Sequence, residues 1–133
     1  CVIDLQERTL TYSCAGHPAP IVVRLGKGKV LEPNEGKVSP ALGLIPQAVY
    51  SANTISLDEI DRLLMYTDGL HEVEDASGDE LGIEHVIASM EQCSEKGLEE
   101  CLDTLLDESR RHSVEGEFAD EVCLFGLEVG SGL

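Results

Sequence analysis

The run Leu63-Leu64-Met65-Tyr66 enters Thr67-Asp68-Gly69 without a spacer, and no other stretch constrains the fold so strongly. A strand that is nearly all apolar has no polar face to offer water, so Arg62 to Tyr66 reads as an element buried on both faces. The layers that cover it must come from the rest of the chain. Downstream, Ile83, Val86, Ile87 and Met90 recur at helical spacing, and Leu98, Cys101, Leu102, Leu105 and Leu106 repeat the pattern. These two amphipathic helices are separated at Lys96-Gly97. Arg110-Arg111-His112 places positive charge at the second C-terminus, where it favours the helix dipole.

Upstream, Val2 to Leu5, Leu10 to Cys14 and Ile21 to Leu25 are short β-rich runs, with Gly26-Lys27-Gly28 suited to a tight turn, and they read as a meander. Glu32 to Pro46 is rich in Pro, Gly, Asn and Ser and reads as an ordered loop along the sheet edge. A second extended pair is expected from Ala48 to Leu57 and Arg62 to Tyr66, joined by Asp58-Glu59-Ile60-Asp61. A last strand, Val122 to Val129, closes the chain. Strands, then helices, then a strand predict one α+β layered domain over residues 1–133.

The formal charge of −17 on 133 residues disfavours binding driven by counterion release from nucleic-acid phosphates, and equally an anionic lipid surface. Cations, basic surfaces and metals are the expected partners. Apolar runs such as Ile21-Val22-Val23 fall far short of the roughly 20 residues a membrane span needs. Cys1, Cys14, Cys93, Cys101 and Cys123 form no CxxC pair and read as small buried hydrophobes in a reducing, cytoplasmic setting. A start on Cys1-Val2-Ile3-Asp4-Leu5, already strand-like, reads as a segment of something longer.

Chemistry concentrates at two strand mouths. A buried strand running into Asp68-Gly69 presents a carboxylate at the sheet's edge, where it either ends the strand or reaches an ion. Ala119-Asp120-Glu121 precedes the last strand and supplies a second such carboxylate. Two carboxylates from different strands can converge on one hard divalent cation, Mg²⁺ or Mn²⁺, which keeps several waters. His17, in Ala15-Gly16-His17-Pro18, has a side chain suited to general acid work, although hydrogen bonding within its turn is the favoured reading. His71, His85 and His112 have no metal-ligand spacing and read as structural or exposed.

Thr11-Tyr12-Ser13-Cys14-Ala15-Gly16-His17-Pro18-Ala19-Pro20, Ala41-Leu42-Gly43-Leu44, Leu63 to Glu72, Gly82-Ile83-Glu84 and Ala119-Asp120-Glu121-Val122 occur in this order. Together they resemble the motifs of the SpoIIE-type branch of the protein phosphatase 2C-like (PPM) family. The resemblance implies an α-β-β-α sandwich, of which this chain would supply the C-terminal part: strands of both sheets and one helical pair. It also implies Mg²⁺- or Mn²⁺-dependent hydrolysis of phosphoserine and phosphothreonine by metal-activated water, with two ions in the complete domain and no covalent phosphoenzyme. Asp68 and Asp120 match family metal ligands, and Thr67, Gly69, Glu121 and His17 would be supporting positions around them. Family members often follow sensor or receiver domains and act on anti-anti-sigma factors in partner-switching pathways.

The chain departs from that pattern at three places. Glu121 replaces the usual second Asp or Asn, and Ile60-Asp61 replaces Gly-Asp before the central strand. No Asp-x-x-Gly-His-Gly, the motif carrying the acid that bridges two metals, occurs in the chain. By itself the segment is therefore expected to be inactive. The rival function is a metal-binding or pseudophosphatase regulatory module. A haloacid-dehalogenase mechanism is excluded because Tyr66 stands where that nucleophilic Asp would be. Asp75-Ala76-Ser77-Gly78-Asp79 reads as a polar turn rather than a calcium loop, since its glycine is misplaced.

Overall fold

The computed structural model describes residues 1–32 and 39–130. Seven strands and two helices follow one another as β1 (Val2–Asp4), β2 (Thr9–Tyr12), β3 (Ile21–Arg24), β4 (Lys27–Val30), β5 (Asn53–Ser56), β6 (Arg62–Tyr66), α1 (Ile83–Gln92), α2 (Leu98–His112) and β7 (Leu124–Glu128). All pairings are antiparallel. They build a three-stranded sheet in the order β1-β2-β5 and a four-stranded sheet in the order β4-β3-β6-β7.

The alternation of side chains along β3 and β6 explains the layering. Ile21, Val23, Leu64 and Tyr66 face the helices and form one core with Val86, Met90, Cys101 and Leu105. Val22 and Leu63 point to the opposite face and form a second core with Leu10, Tyr12, Leu57 and Ile60. Leu64 is fully buried and Leu63 all but fully. Each such burial contributes about 1.5–3 kcal/mol. Seen from β6, the order of layers is helices, four-stranded sheet, three-stranded sheet. Among the described residues, both helices lie on the four-stranded sheet. Gly28 and Gly126 let them seat closely, because a Cβ there would stand 2.8 Å from Ile87 and 2.9 Å from Leu98 respectively.

Two expected pairings are corrected by this arrangement. The first three strands are not a meander: β1 and β2 pair, but β3 crosses to the other sheet. The segment expected as a strand from Ala48 to Leu57 is extended only over Asn53–Ser56, and it pairs with β2 rather than with β6. Both corrections have one cause. A hairpin would have left Leu10, Leu63 and Val22 in one sheet with a single face to bury them, whereas switching sheets stacks these residues against one another. The Asp58-Glu59-Ile60-Asp61 link is a crossover that begins with a 3-10 turn at Leu57–Glu59.

Strand β4 was not anticipated. Its hairpin with β3 turns on Leu25 and Gly26, both at positive φ (49° and 70°), and the leucine hides the two-residue turn from a glycine-based reading. Asp61 holds that turn, accepting from Leu25 N at 2.6 Å and pairing with Arg24 at 2.6 Å. The Leu25 amide, and then Arg24, keep its carboxyl below the usual range. Of the 32–46 loop, residues 33–38 lie outside the described residues; beyond them, Ser39 O accepts from Gly16 N at 3.1 Å. Three of the five cysteines are buried as expected, but Cys1 and Cys123 are exposed.

Candidate metal centre

Strand β6 ends at Tyr66: Thr67 keeps only its N–H in the ladder while its carbonyl goes to a 3-10 turn, Asp68–Leu70. Leu70 N and His71 N close this turn on Thr67 O and Asp68 O at 3.1 and 3.0 Å. Leu70 is fully buried in the helix-facing core, so the turn is pinned from below while the Asp68 side chain stays exposed. Two further contacts fix it. Ser109 of α2, itself fully buried, donates its hydroxyl to Leu70 O at 2.9 Å. His71 stacks edge-on against Tyr66 with ring centroids 5.5 Å apart. Burial, and secondarily Cys14, push the Tyr66 phenol up to about 12, so the ring remains neutral.

The second acid arrives with the segment before β7. Thr67 joins the two segments: its N–H donates to Cys123 O at 3.1 Å, its hydroxyl donates to Glu121 O at 2.8 Å, and it accepts from Cys123 N at 2.9 Å. Gly69 is required at its position by this proximity. A Cβ there would stand 2.9 Å from Glu121 O and 3.3 Å from Asp120 O. Asp68 and Asp120 therefore sit on adjoining segments of backbone although 52 positions (120 − 68) separate them. Each carboxylate accepts from the amide of the following residue, Asp68 Oδ1 from Gly69 N at 3.0 Å and Asp120 Oδ1 from Glu121 N at 2.7 Å. No cationic side chain pairs with either acid among the described residues.

The remaining sequence candidates separate cleanly. Glu121 joins the site through its main chain, and its carboxylate is exposed. His17 is exposed and bonds the carbonyl of Pro18 at 3.0 Å within its own turn; no hydrogen bond or ion pair among the described residues connects it to Asp68 or Asp120. Asp75 closes a polar turn, accepting from Asp79 N and Ser77 N, and these two bonds, the Asp79 amide foremost, hold its carboxyl below the usual range. His85 pairs with Glu108 at 3.1 Å and His112 bonds Asp79 O at 2.8 Å, both structural contacts. Ser109 escaped the sequence reading. Its signal was a polar residue standing four places after Leu105 on the apolar face of α2.

Beside the acids lies a cavity of about 610 Å³ with Glu72, Glu74, Glu115 and Glu117 on its walls and Val73 and Phe118 among its apolar lining. Hard oxygen donors that lack cationic partners fit Mg²⁺ or Mn²⁺, which retain waters and take few protein carboxylates. The set is nevertheless partial: the described residues contain no group of three or more His, Cys, Asp or Glu side chains placed to hold a metal.

Comparison with known proteins gives the family and the fold. The family described as Stage II sporulation protein E (SpoIIE) matches residues 1–130. No curated protein matches. Among solved structures, the RsbU and RsbW domains of Rv1364c from Mycobacterium tuberculosis superpose with a TM-score of 0.76 at 22% identity, over 95% of this chain and 34% of that one. A bacterial serine phosphatase carrying an arginine-to-alanine substitution gives a TM-score of 0.65 at 14% identity, over 93% of this chain and 50% of that one. The chain thus spans between a third and a half of the length of these relatives, and at such identities the likeness shows the fold, an α+β arrangement of the PPM phosphatase type. No helix among the described residues is long and apolar enough to cross a membrane. With the family pattern running from the first residue to within three of the last, the chain belongs to the SpoIIE family.

Proposed function

We propose that this chain is the C-terminal part of a Mg²⁺- or Mn²⁺-dependent phosphoserine/phosphothreonine protein phosphatase domain, with Asp68 and Asp120 holding the cation. The observation that carries the reading is the pairing of the two acid-bearing segments through Thr67 and Gly69, with both carboxylates exposed and free of cationic partners. The bound ion would supply an activated water near neutral pH and offset charge on the phosphoryl oxygens.

This chain's own residues do the rest. Asp68 and Asp120 present one carboxylate each from a backbone that packing has already fixed, so little ordering is left for the moment of binding. The amides of Gly69 and Glu121 each occupy one oxygen of these carboxylates and orient the other. His17 stays a turn residue in this reading. Because these residues are a partial ligand set, the segment by itself is expected not to turn over, and further acids would come from the longer domain. The substrate we infer is a phosphoprotein, an anti-anti-sigma factor in a partner-switching pathway, handled in the cytoplasm behind a sensor or receiver domain. The likeness to a protein with RsbU and RsbW domains supports this placement.

The test is hydrolysis of a generic phosphomonoester by the full-length chain, with and without Mn²⁺ or Mg²⁺. Turnover should require the metal, and Asp68→Ala should abolish it. Metal-stimulated turnover that persists in Asp68→Ala would show that a different acid holds the ion. A full-length chain that binds Mn²⁺ but never turns over would favour the regulatory-module reading, toward which the partial ligand set also points.

A further inference from the structure

We infer that Thr67 is a positioning residue whose hydroxyl sets the placement of Asp68 relative to Asp120; this rests on the reading of those two acids as cation ligands. Strands β6 and β7 run in register through Tyr66 opposite Leu124, so the next pair is Thr67 opposite Cys123. Thr67 N donates to Cys123 O at 3.1 Å. In an antiparallel ladder a pair that exchanges one such bond ordinarily exchanges the second as well, from Cys123 N to Thr67 O. Here that second bond is rerouted. Cys123 N donates to the Thr67 hydroxyl at 2.9 Å, and the Thr67 carbonyl accepts from Leu70 N at 3.1 Å, closing the turn that carries Asp68.

The hydroxyl thus substitutes for a carbonyl that the turn has claimed. Its own hydrogen goes to Glu121 O at 2.8 Å, on the residue after Asp120. One oxygen thus accepts from Cys123 N and donates to Glu121 O, tying the turn to the stretch that follows Asp120, which takes a group that both donates and accepts. Threonine's branched Cβ also restricts χ1, so the hydroxyl is held where both bonds are met. Without it, Cys123 N must either share the Thr67 carbonyl with Leu70 N, which draws the strand end toward β7, or turn to solvent. Either change moves one acid relative to the other.

The experiment is Mn²⁺ binding to the full-length chain, followed by the ion's electron paramagnetic resonance signal and independent of turnover. Thr67→Val keeps the shape and removes both bonds; its Kd for Mn²⁺ should rise about tenfold, roughly the worth of one such hydrogen bond. Thr67→Ser should stay within about twofold of the parent, since the hydroxyl is retained. Thr11→Val removes a hydroxyl contact of 2.8 Å with Thr54 in the three-stranded sheet and should leave Mn²⁺ affinity unchanged. If Thr67→Val binds Mn²⁺ as the parent does, the hydroxyl serves only the strand end and the inference fails while the metal reading survives. If the parent binds no Mn²⁺, the metal reading itself fails and takes the inference with it. Should Thr67→Val not fold, amide exchange of the parent decides: Cys123 N–H must be protected, and more so with Mn²⁺, whereas exchange at the rate of an unstructured amide overturns the clasp.

Discussion

The two ends of β6 handle charge in opposite ways. At its start, Arg62 is buried and has every charge-bearing contact filled: Nη1 donates to Cys93 O at 2.7 Å, Nη2 to Lys96 O, and Nη2 reaches Glu128 at 3.1 Å. The guanidinium therefore ties the link between α1 and α2 to the start of β6. At the strand's other end, Asp68 is exposed and its segment adjoins that of Asp120, with no cationic partner for either among the described residues. A buried charge that is fully bonded belongs to the architecture. The exposed acids at the other end take no part in a core, and it is there that the proposed function places a cation.

This contrast breaks if the two ends respond alike to substitution. The largest expected effect is on turnover: Asp68→Ala should lower metal-dependent hydrolysis by the full-length chain at least about a hundredfold, yet shift unfolding free energy by no more than about 0.5 kcal/mol. Arg62→Met should do the reverse. It removes the guanidinium's bond to the Lys96 carbonyl and leaves Cys93 O with only its bond from Lys96 N at 2.9 Å, and should destabilise by about 2 kcal/mol in urea unfolding, with Mn²⁺ affinity of the folded fraction retained. A loss of metal affinity in Arg62→Met larger than its loss of stability would erase the distinction.

Alkaline titration tests both ends at once. Burial foremost, with Cys93 alongside, pushes the Cys101 thiol up to about 11 near the Arg62 end, and burial pushes Tyr66 up to about 12 at the Asp68 end. Both groups are neutral in the folded chain and ionise more readily unfolded, so their contribution is complete below pH about 9 and is lost as pH rises from there through 11 and 12. Each represents about 2 kcal/mol at full ionisation, readable as a falling urea midpoint, and Tyr66→Phe should flatten the upper part of the decline. The smallest effect sharpens the site itself. Gly69→Ala drives a Cβ to within 2.9 Å of the Glu121 carbonyl and should cost about 1 kcal/mol of stability while weakening Mn²⁺ binding several-fold.

Much of this molecule was legible before folding was considered. The apolar run before Thr67-Asp68-Gly69 marked β6 and one candidate ligand, and the repeats from Ile83 and Leu98 marked the helices, because burial imposes a local period on a chain. Strand partners were not legible. Leu10, Ile55 and Leu63 look equally ready for any sheet, and a hairpin is the nearest option along the chain; only the second core shows why β3 leaves β2 and β6 leaves β5. At the candidate site, Asp68 and Asp120 stand out in the sequence by their positions at strand mouths, but the contacts of Ser109 and Thr67 do not, since both depend on groups more than 35 positions away.

The amino-acid order by itself determined both helices and the strands other than β4, which residues are apolar enough to form cores, and which acids stand where strands end. Only the tertiary structure decided that the segments of Asp68 and Asp120 adjoin, that Glu121 contributes its carbonyl more than its charge, and that His17 remains with its own turn. The reason is physical. Local pattern follows from the periodicity of burial within one element, whereas adjacency between distant elements follows from how two sheets and a helical pair share the same apolar surface, and no single segment encodes that division.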